Sequence, residues 1–323
     1  MDRRDARAVT ARTPIALTIA GSDSGGGAGV QADLKTFAAL GVYGASAITA
    51  LTAQNTRGVR GILAAPADFV RDQIDAVLED FDVAAIKIGM LASARIAVAV
   101  AERLGGPRVH ASEERPPRRA LTWGRRLETD SSSVAPATPR DPWRRENGQA
   151  PFLVYDPVMV ASSGEALADS GFVAALKVRL LPLVDCLTPN LAEAAALLDA
   201  PLAMSEAEMA AQGAALRALG PRAVLMKGGH LAGEEAVDLL VTAGGVRRFA
   251  APRLASSNLH GTGCTLSSAI AAHIALGKDL PEAVAAAKDF VRQAIERGRG
   301  VTLGAGPGPL APLPLAGAPV DRA

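Results

Sequence analysis

Cysteine is nearly absent: Cys186 and Cys264 are the two thiols in 323 residues. Two thiols cannot staple a chain this long, so a disulfide framework is excluded and a reducing, cytoplasmic compartment is expected. Aromatic residues make up only 3% of the chain, so the core must be built from Ala, Val, Leu and Ile. Neither sign of charge is in excess, with 34 basic side chains against 33 acidic ones. A nucleic-acid or membrane-surface binder needs a large basic surplus, which argues against both classes. Long hydrophobic runs are missing too. Even the apolar stretch Ala84–Val100 carries Lys87 and Arg95, so no membrane span is expected. The opening MDRRDARAVTART mixes Arg with Asp and has no apolar centre, unlike a secretory leader. CxxC and HExxH spacings are absent and the four histidines His110, His230, His260 and His273 are scattered, which leaves no zinc signature.

What is present is alternation. Short apolar runs at Ile15–Ala20, Ala45–Leu51, Ala84–Ile88, Leu153–Asp156, Cys186–Thr188 and Ala223–Met226 read as strands. Between them, Val30–Leu40, Asp68–Leu78, Ser93–Leu104, Gly171–Leu181, Leu191–Leu198 and Glu206–Leu219 read as Ala-rich helices. Strand–helix alternation predicts an α/β fold with a mainly parallel sheet covered on both faces. Ligands in such folds gather beyond the carboxyl ends of the strands, so the residues after each strand matter most. The segment from Gly105 to Ala150 breaks the pattern with six prolines, many Arg and a run of three serines. It reads as a flexible insertion in a single domain spanning 14–311, with a disordered tail at 1–13 and a loose one at 312–323.

Six strand-end motifs can carry chemistry. Gly21-Ser22-Asp23-Ser24-Gly25-Gly26-Gly27-Ala28-Gly29 joins a strand to a helix with more glycine than a turn requires, which points to close backbone approach to a ligand. It is neither a Walker A loop nor a GxGxxG fingerprint, because no Gly-Lys-Ser/Thr follows and Val30 stands where the last glycine belongs. His260-Gly261-Thr262-Gly263-Cys264-Thr265 opens a helix, and its glycines expose amides to an anion at the positive end of the helix dipole. Cys264 in that field is expected to have a lowered pKa and to favour the thiolate. Asp156-Pro157-Val158-Met159 and Thr188-Pro189-Asn190, with Glu193 beyond, put oxygen donors where Mg²⁺ and nucleotide phosphates could gather. Asn190 and Glu193 also fit a helix capping box, and the two roles can coexist. Lys227-Gly228-Gly229-His230 offers a cation for phosphate charge and glycines for nucleotide approach. The amide of Gln54 offers a donor and an acceptor to an aminopyrimidine edge.

Taken together, these stretches resemble the hydroxymethylpyrimidine/phosphomethylpyrimidine kinase family of thiamine biosynthesis, in the ribokinase superfamily. The likeness rests on LTIAGSDSGGGAGVQADLKTFAALGVYG, ITALTAQNTRGV, IKIGML, DPVM, LLPLVDCLTPNLAEAAALL, VLMKGGH and HGTGCTLSSAIAAH, and runs from about Pro14 to Leu310. It implies a ribokinase-like three-layer α/β/α fold and two successive transfers from ATP with Mg²⁺. The pyrimidine alcohol would become a monophosphate and then a pyrophosphate. By the same resemblance Cys264 would activate the hydroxymethyl group, and Gly261, Thr262 and Gly263 would form the anion hole. Gln54, Met90 and Val158 would hold the pyrimidine, with Gly21 and Asp33 beside it. Asp156, Asn190 and Glu193 would organise Mg²⁺ and phosphates, with Asp156 and Glu193 as metal ligands. Lys227 would neutralise the migrating charge, with Gly228 next to it on the nucleotide side. A homodimer is also implied. The sequence departs from the family at Leu259, where Thr is usual, and in Leu303-Gly304-Ala305-Gly306, which lacks a frequent His; both are expected near the nucleotide. The rival readings are a pyridoxal or pyridoxine kinase of the same fold, a non-catalytic binding protein that has no need of Cys264 or the acids, and a Rossmann oxidoreductase.

Overall fold

A computed structural model describes residues 13–105, 149–159 and 171–313. Of the expected tails and insertion, residues 1–12, 106–148 and 314–323 lie outside the described residues. The strands are β1 (Ile15–Asp23), β2 (Tyr43–Asn55), β3 (Gly58–Ala64), β4 (Val83–Ile88), β5 (Phe152–Tyr155), β6 (Cys186–Leu187), β7 (Ala223–Lys227), β8 (Glu235–Thr242) and β9 (Gly245–Pro252). The helices are α1 (Gly29–Ala39), α2 (Ala67–Leu78), α3 (Ala94–Leu104), α4 (Phe172–Ala175), α5 (Leu191–Leu198), α6 (Glu206–Arg217), α7 (Thr262–Ala275) and α8 (Leu280–Gly298).

All nine strands form one sheet in the order β3-β2-β1-β4-β5-β6-β7-β8-β9. The stretch from β2 to β7 is parallel, and antiparallel pairing of β3 on one edge and β8–β9 on the other completes it. Every residue of β4 is buried, as a central strand covered on both faces requires. Side chains alternate between two layers. Leu17, Ile19, Ile86, Ile88 and Met226 pack toward α2, α3, α5 and α6. Ala16, Ala85, Val154 and Leu225 pack toward α1, α7 and α8. The order of strands reverses at β1, which leads to β2 on one side and borders β4 on the other. Such a switch opens a crevice at the carboxyl ends.

Three expectations need correction. The helix expected over Gly171–Leu181 is one α-helical turn, α4, followed by a π-helical stretch at Leu176–Leu180 and a 3-10 turn at Leu181–Leu183. Pro182 has no amide hydrogen to continue a regular helix, which accounts for the tight end. Second, β2 extends four residues past Leu51, so Gln54 sits on a strand. Third, β3, β8, β9 and α8 had no counterpart in the strand and helix reading. The hairpin β8–β9 turns at Ala243-Gly244, and Gly245, which opens β9, has φ 118°.

Candidate active site

The glycine-rich segment after β1 folds around one carboxylate. Asp23 accepts the amides of Gly25 at 2.8 Å, Gly27 at 3.0 Å and Ala28 at 2.9 Å. His260 Nε2 lies 3.2 Å from Asp23 Oδ2 and 3.3 Å from Gln54 Nε2. Burial alone would raise the Asp23 pKa, but the His260 contact and these amides outweigh it and hold the carboxyl below its ordinary value. Asp23 and His260 therefore join the first glycine motif to the last one, a link that sequence reading missed. The Asp-x-Gly pattern, whose side chain bonds its own loop, was the available signal.

Helix α7 starts at Thr262 behind Gly261, with no side-chain cap. Amides of a first helical turn have no intrahelical acceptor and face whatever lies beyond the helix. A Cβ on Gly263 would lie 3.1 Å from Lys227 Nζ and 3.3 Å from Asp156 Oδ2. The open helix start therefore stands directly over a lysine–carboxylate pair. Lys227 Nζ bonds Asp156 Oδ1 at 2.6 Å and lies 3.7 Å from Glu193 Oε2. Burial would push the Lys227 ammonium down, yet Asp156 and Glu193 hold it firmly charged. Burial, and the Asp156 charge, push the Glu193 carboxyl up to about 7 despite Lys227 and the Asn190 amide. Asn190 and Glu193 form the expected capping box at the start of α5, with side-chain to backbone bonds of 2.9 and 2.7 Å.

Cys264 occupies the first turn of α7 and is half-buried. Its expected low pKa is a correction. Burial pushes the thiol up to about 11; Lys87 and the Gly29 amide pull it down, while Asp33 and Asp156 push it up. A helix start favours thiolate only while the sulfur keeps its solvation, and here desolvation wins. Cys186, wholly buried in β6, is pushed up to about 12, also by burial first.

The structure brings several of the expected pyrimidine residues together. Met90 clusters with Ala50, with Val158 packed against them, and a Cβ on Gly21 would lie 3.3 Å from the Met90 sulfur. Thr49 Oγ1 donates to the Met90 carbonyl at 2.6 Å. Gln54 stands four residues beyond Ala50 on β2: its backbone amide donates to Ser24 Oγ at 2.9 Å, and Thr52 Oγ1 donates to its Oε1 at 3.2 Å. Asp33 lies deeper, with no exposure, and its oxygens are bonded by Lys87, Thr18 and Ser268. Thr262 Oγ1 is turned to the Leu259 carbonyl. Gly228 gives its amide to the Val237 carbonyl of β8, and a Cβ there would meet that oxygen at 2.3 Å. Gly304 and Gly306 abut Thr56 in the β2–β3 turn, two residues from Gln54.

A mostly parallel sheet with helices on both faces, and an open helix start over a lysine–carboxylate pair at its carboxyl edge, define a small-molecule kinase of the ribokinase-like class. Residues 23–111 and 143–311 match the family described as phosphomethylpyrimidine kinase, and the chain belongs to it. It is 48% identical over 298 residues to the hydroxymethylpyrimidine/phosphomethylpyrimidine kinase of Rhizobium meliloti, covering 92% of this chain and 96% of that one. Among solved structures it resembles the phosphomethylpyrimidine kinase of Clostridium difficile 630, with TM-score 0.66 and 37% identity over 87% of this chain and 99% of that one. It also resembles the pyridoxal kinase of Staphylococcus aureus in complex with AMP-PCP and pyridoxal, with TM-score 0.72 and 29% identity over 93% of each chain.

Proposed function

We propose that this kinase transfers the γ-phosphate of ATP to 4-amino-5-hydroxymethyl-2-methylpyrimidine, and then phosphorylates the monophosphate to the pyrophosphate, in thiamine biosynthesis. The observation that carries this reading is the stack of Gly263 over Lys227 and Asp156, with Cys264 next in the chain. An apolar shelf of Gly21, Met90 and Val158, closed by the Gln54 amide, supports a small planar heterocycle. The 48% identity to a kinase named for both pyrimidine substrates, against 29% to the pyridoxal kinase, favours the pyrimidine.

The pyrimidine lies on the shelf with its hydroxymethyl group toward Cys264. The open amides of α7 and Lys227 receive the three equatorial oxygens of the moving phosphoryl group, whose charge spreads in the transition state. The acceptor O–H bond breaks as the new O–P bond forms, and the old bond to the β-phosphate oxygen opens. The proton passes to the Cys264 sulfur in its thiolate form, which Lys87 and the Gly29 amide favour. In the second transfer a phosphate oxygen of the monophosphate takes the hydroxyl's place. That acceptor is already anionic, so it needs no base. Asn190, Lys227 and Gly228 line the nucleotide side.

Asp156 and Glu193 are the residues that would hold Mg²⁺. They fit it by chemistry: two carboxylates face one lysine, which leaves oxygen donors in excess of the positive charge beside them. Mg²⁺ held there would offset the negative charge of the nucleotide phosphates. A homodimer in the cytoplasm is the expected setting.

Phosphorus NMR after incubation with ATP, Mg²⁺ and the pyrimidine alcohol tests the reading. The expected course is a monophosphate resonance that rises and then gives way to a pyrophosphate pair. Faster turnover of pyridoxal than of the pyrimidine, in a parallel assay, would replace this reading by the pyridoxal kinase one.

A further inference from the structure

The period of two along the central strands places polar groups in a layer that is otherwise apolar. Ala16, Ala85, Val154 and Leu225 face α7 and α8; two residues on, Thr18, Lys87, Asp156 and Lys227 point the same way. Asp156 and Lys227 belong to the phosphoryl site already described. Lys87 does not. It is wholly buried in β4, opposite Thr18 of β1 in the strand register. Both Asp33 oxygens lie 2.8 Å from its Nζ. Thr18 and Ser268 donate to the same carboxylate at 2.6 Å each. Ser268 stands one helical turn beyond Cys264, on the same face of α7. Room for the ammonium depends on Gly89, where a Cβ would lie 2.9 Å from Lys87 Nζ.

Stability gives a poor account of this pair. Desolvating two charges costs about as much as their attraction returns, and well-packed apolar replacements are often no worse. Its position gives a better one. The charged groups whose fields reach the Cys264 sulfur are Lys87 from β4, Asp33 from α1, Asp156 beyond β5 and Lys227 from β7, with the Gly29 amide adding to the cationic side. Among them Lys87 is the strongest cationic influence, and Asp33 keeps it charged where burial alone would not.

We propose that Lys87 is a positioning residue for acceptor activation: its buried ammonium, tied through Asp33 to Ser268 one turn beyond Cys264 in α7, stabilises the anionic sulfur of Cys264. This rests on Cys264 being the proton acceptor proposed above.

The test compares two variants, Lys87→Met, which removes the cation, and Asp33→Asn, which removes the carboxylate that keeps it charged, each in a Cys186→Ala background. The readouts are the rate of Cys264 alkylation by iodoacetamide at pH 8, kcat and KM for each transfer, and thermal unfolding. Removing the cation slows alkylation by about tenfold or more, one unit of thiol acidity. Removing the acid slows it too, because the buried ammonium then loses the partner that keeps it charged. Lys87→Met also lowers kcat for the alcohol with little change in its KM, and alters the second transfer far less. A purely structural pair, once broken, loosens the packing and exposes the sulfur, so faster alkylation in both variants, or no change in either, overturns the proposal. Should Lys87→Met fail to fold, Asp33→Asn decides alone, and absence of slowing overturns it. Alkylation reads the sulfur without turnover. If Cys264→Ala phosphorylates the alcohol at the parent rate, the base assignment fails, while the alkylation rates still judge Lys87.

Discussion

Gly261 and Gly27 meet backbone to backbone: a Cβ on Gly261 would lie 2.0 Å from the Gly27 carbonyl oxygen. The two glycine-rich motifs, more than 230 residues apart by their numbers, form one surface at this contact. Gly261 also has φ 83°, a left-handed conformation open to glycine and strained for other residues. Gly261→Ala must therefore tilt the start of α7 away from the glycine loop. The expected result is a loss of about a hundredfold or more in kcat/KM for both transfers, the scale of removing an oxyanion-hole donor. Steady-state kinetics with each acceptor checks it, and a variant of near-parent activity would show that the contact is dispensable.

Lys227→Met leaves Asp156 and Glu193 facing each other without their cation. Breaking a buried pair from one side costs about 3–5 kcal/mol, so a clear drop in melting temperature is expected. Both transfers move the same phosphoryl group past this lysine. Their kcat values should fall together, by about a hundredfold or more. A variant that loses only the first transfer would place Lys227 with the acceptor and not with the phosphate.

Cys264→Ala separates the two transfers instead. The thiol is pushed up to about 11 in the ligand-free site, chiefly by burial, so the thiolate is scarce at neutral pH and grows about tenfold per pH unit below that value. In the parent enzyme kcat/KM for the alcohol should rise steadily between about pH 7 and 9, while the second transfer, whose acceptor brings its own charge, stays nearly flat. Cys264→Ala should remove the rise and slow the first transfer by about 10²–10⁴, the usual worth of a positioned base. Equal loss in both transfers counts against a base role.

Much of this architecture could be read from residues alone, because it follows from local patterns. The six expected strands and the helices between them were written in runs such as AAIKI and VLMK, where continuous burial leaves a continuous apolar signature. Capping at Asn190 and Glu193 was legible for the same reason, being an interaction across three residues. What escaped was long-range. The edge strands β3 and β9 are stabilised by pairing more than by a hydrophobic run, and both are largely exposed. Lys87 looks in the sequence like a mere interruption of an apolar stretch; only the layer shared with Asp33 and Ser268 gives it a partner. The acidity of Cys264 was misread because a motif displays its helix start but not the desolvation around the sulfur.

Asp23 gives a pH test of the loop itself. Its carboxyl gathers three amides and His260, and its folded pKa lies below the ordinary value of 3.8. A depressed folded pKa means that the carboxylate binds its proton less readily in the native state than in the unfolded one. The stabilisation it supplies is therefore complete above the unfolded value and is lost as pH falls through the folded one. Asp23→Asn removes that contribution at neutral pH, so the variant should melt below the parent at pH 7. The gap should narrow steadily as the pH falls below about 4, where the parent's carboxylate begins to take its proton. Melting curves of both proteins across this range check it, and a gap that stays constant with pH would mean that the loop is held by shape and not by the charge of Asp23.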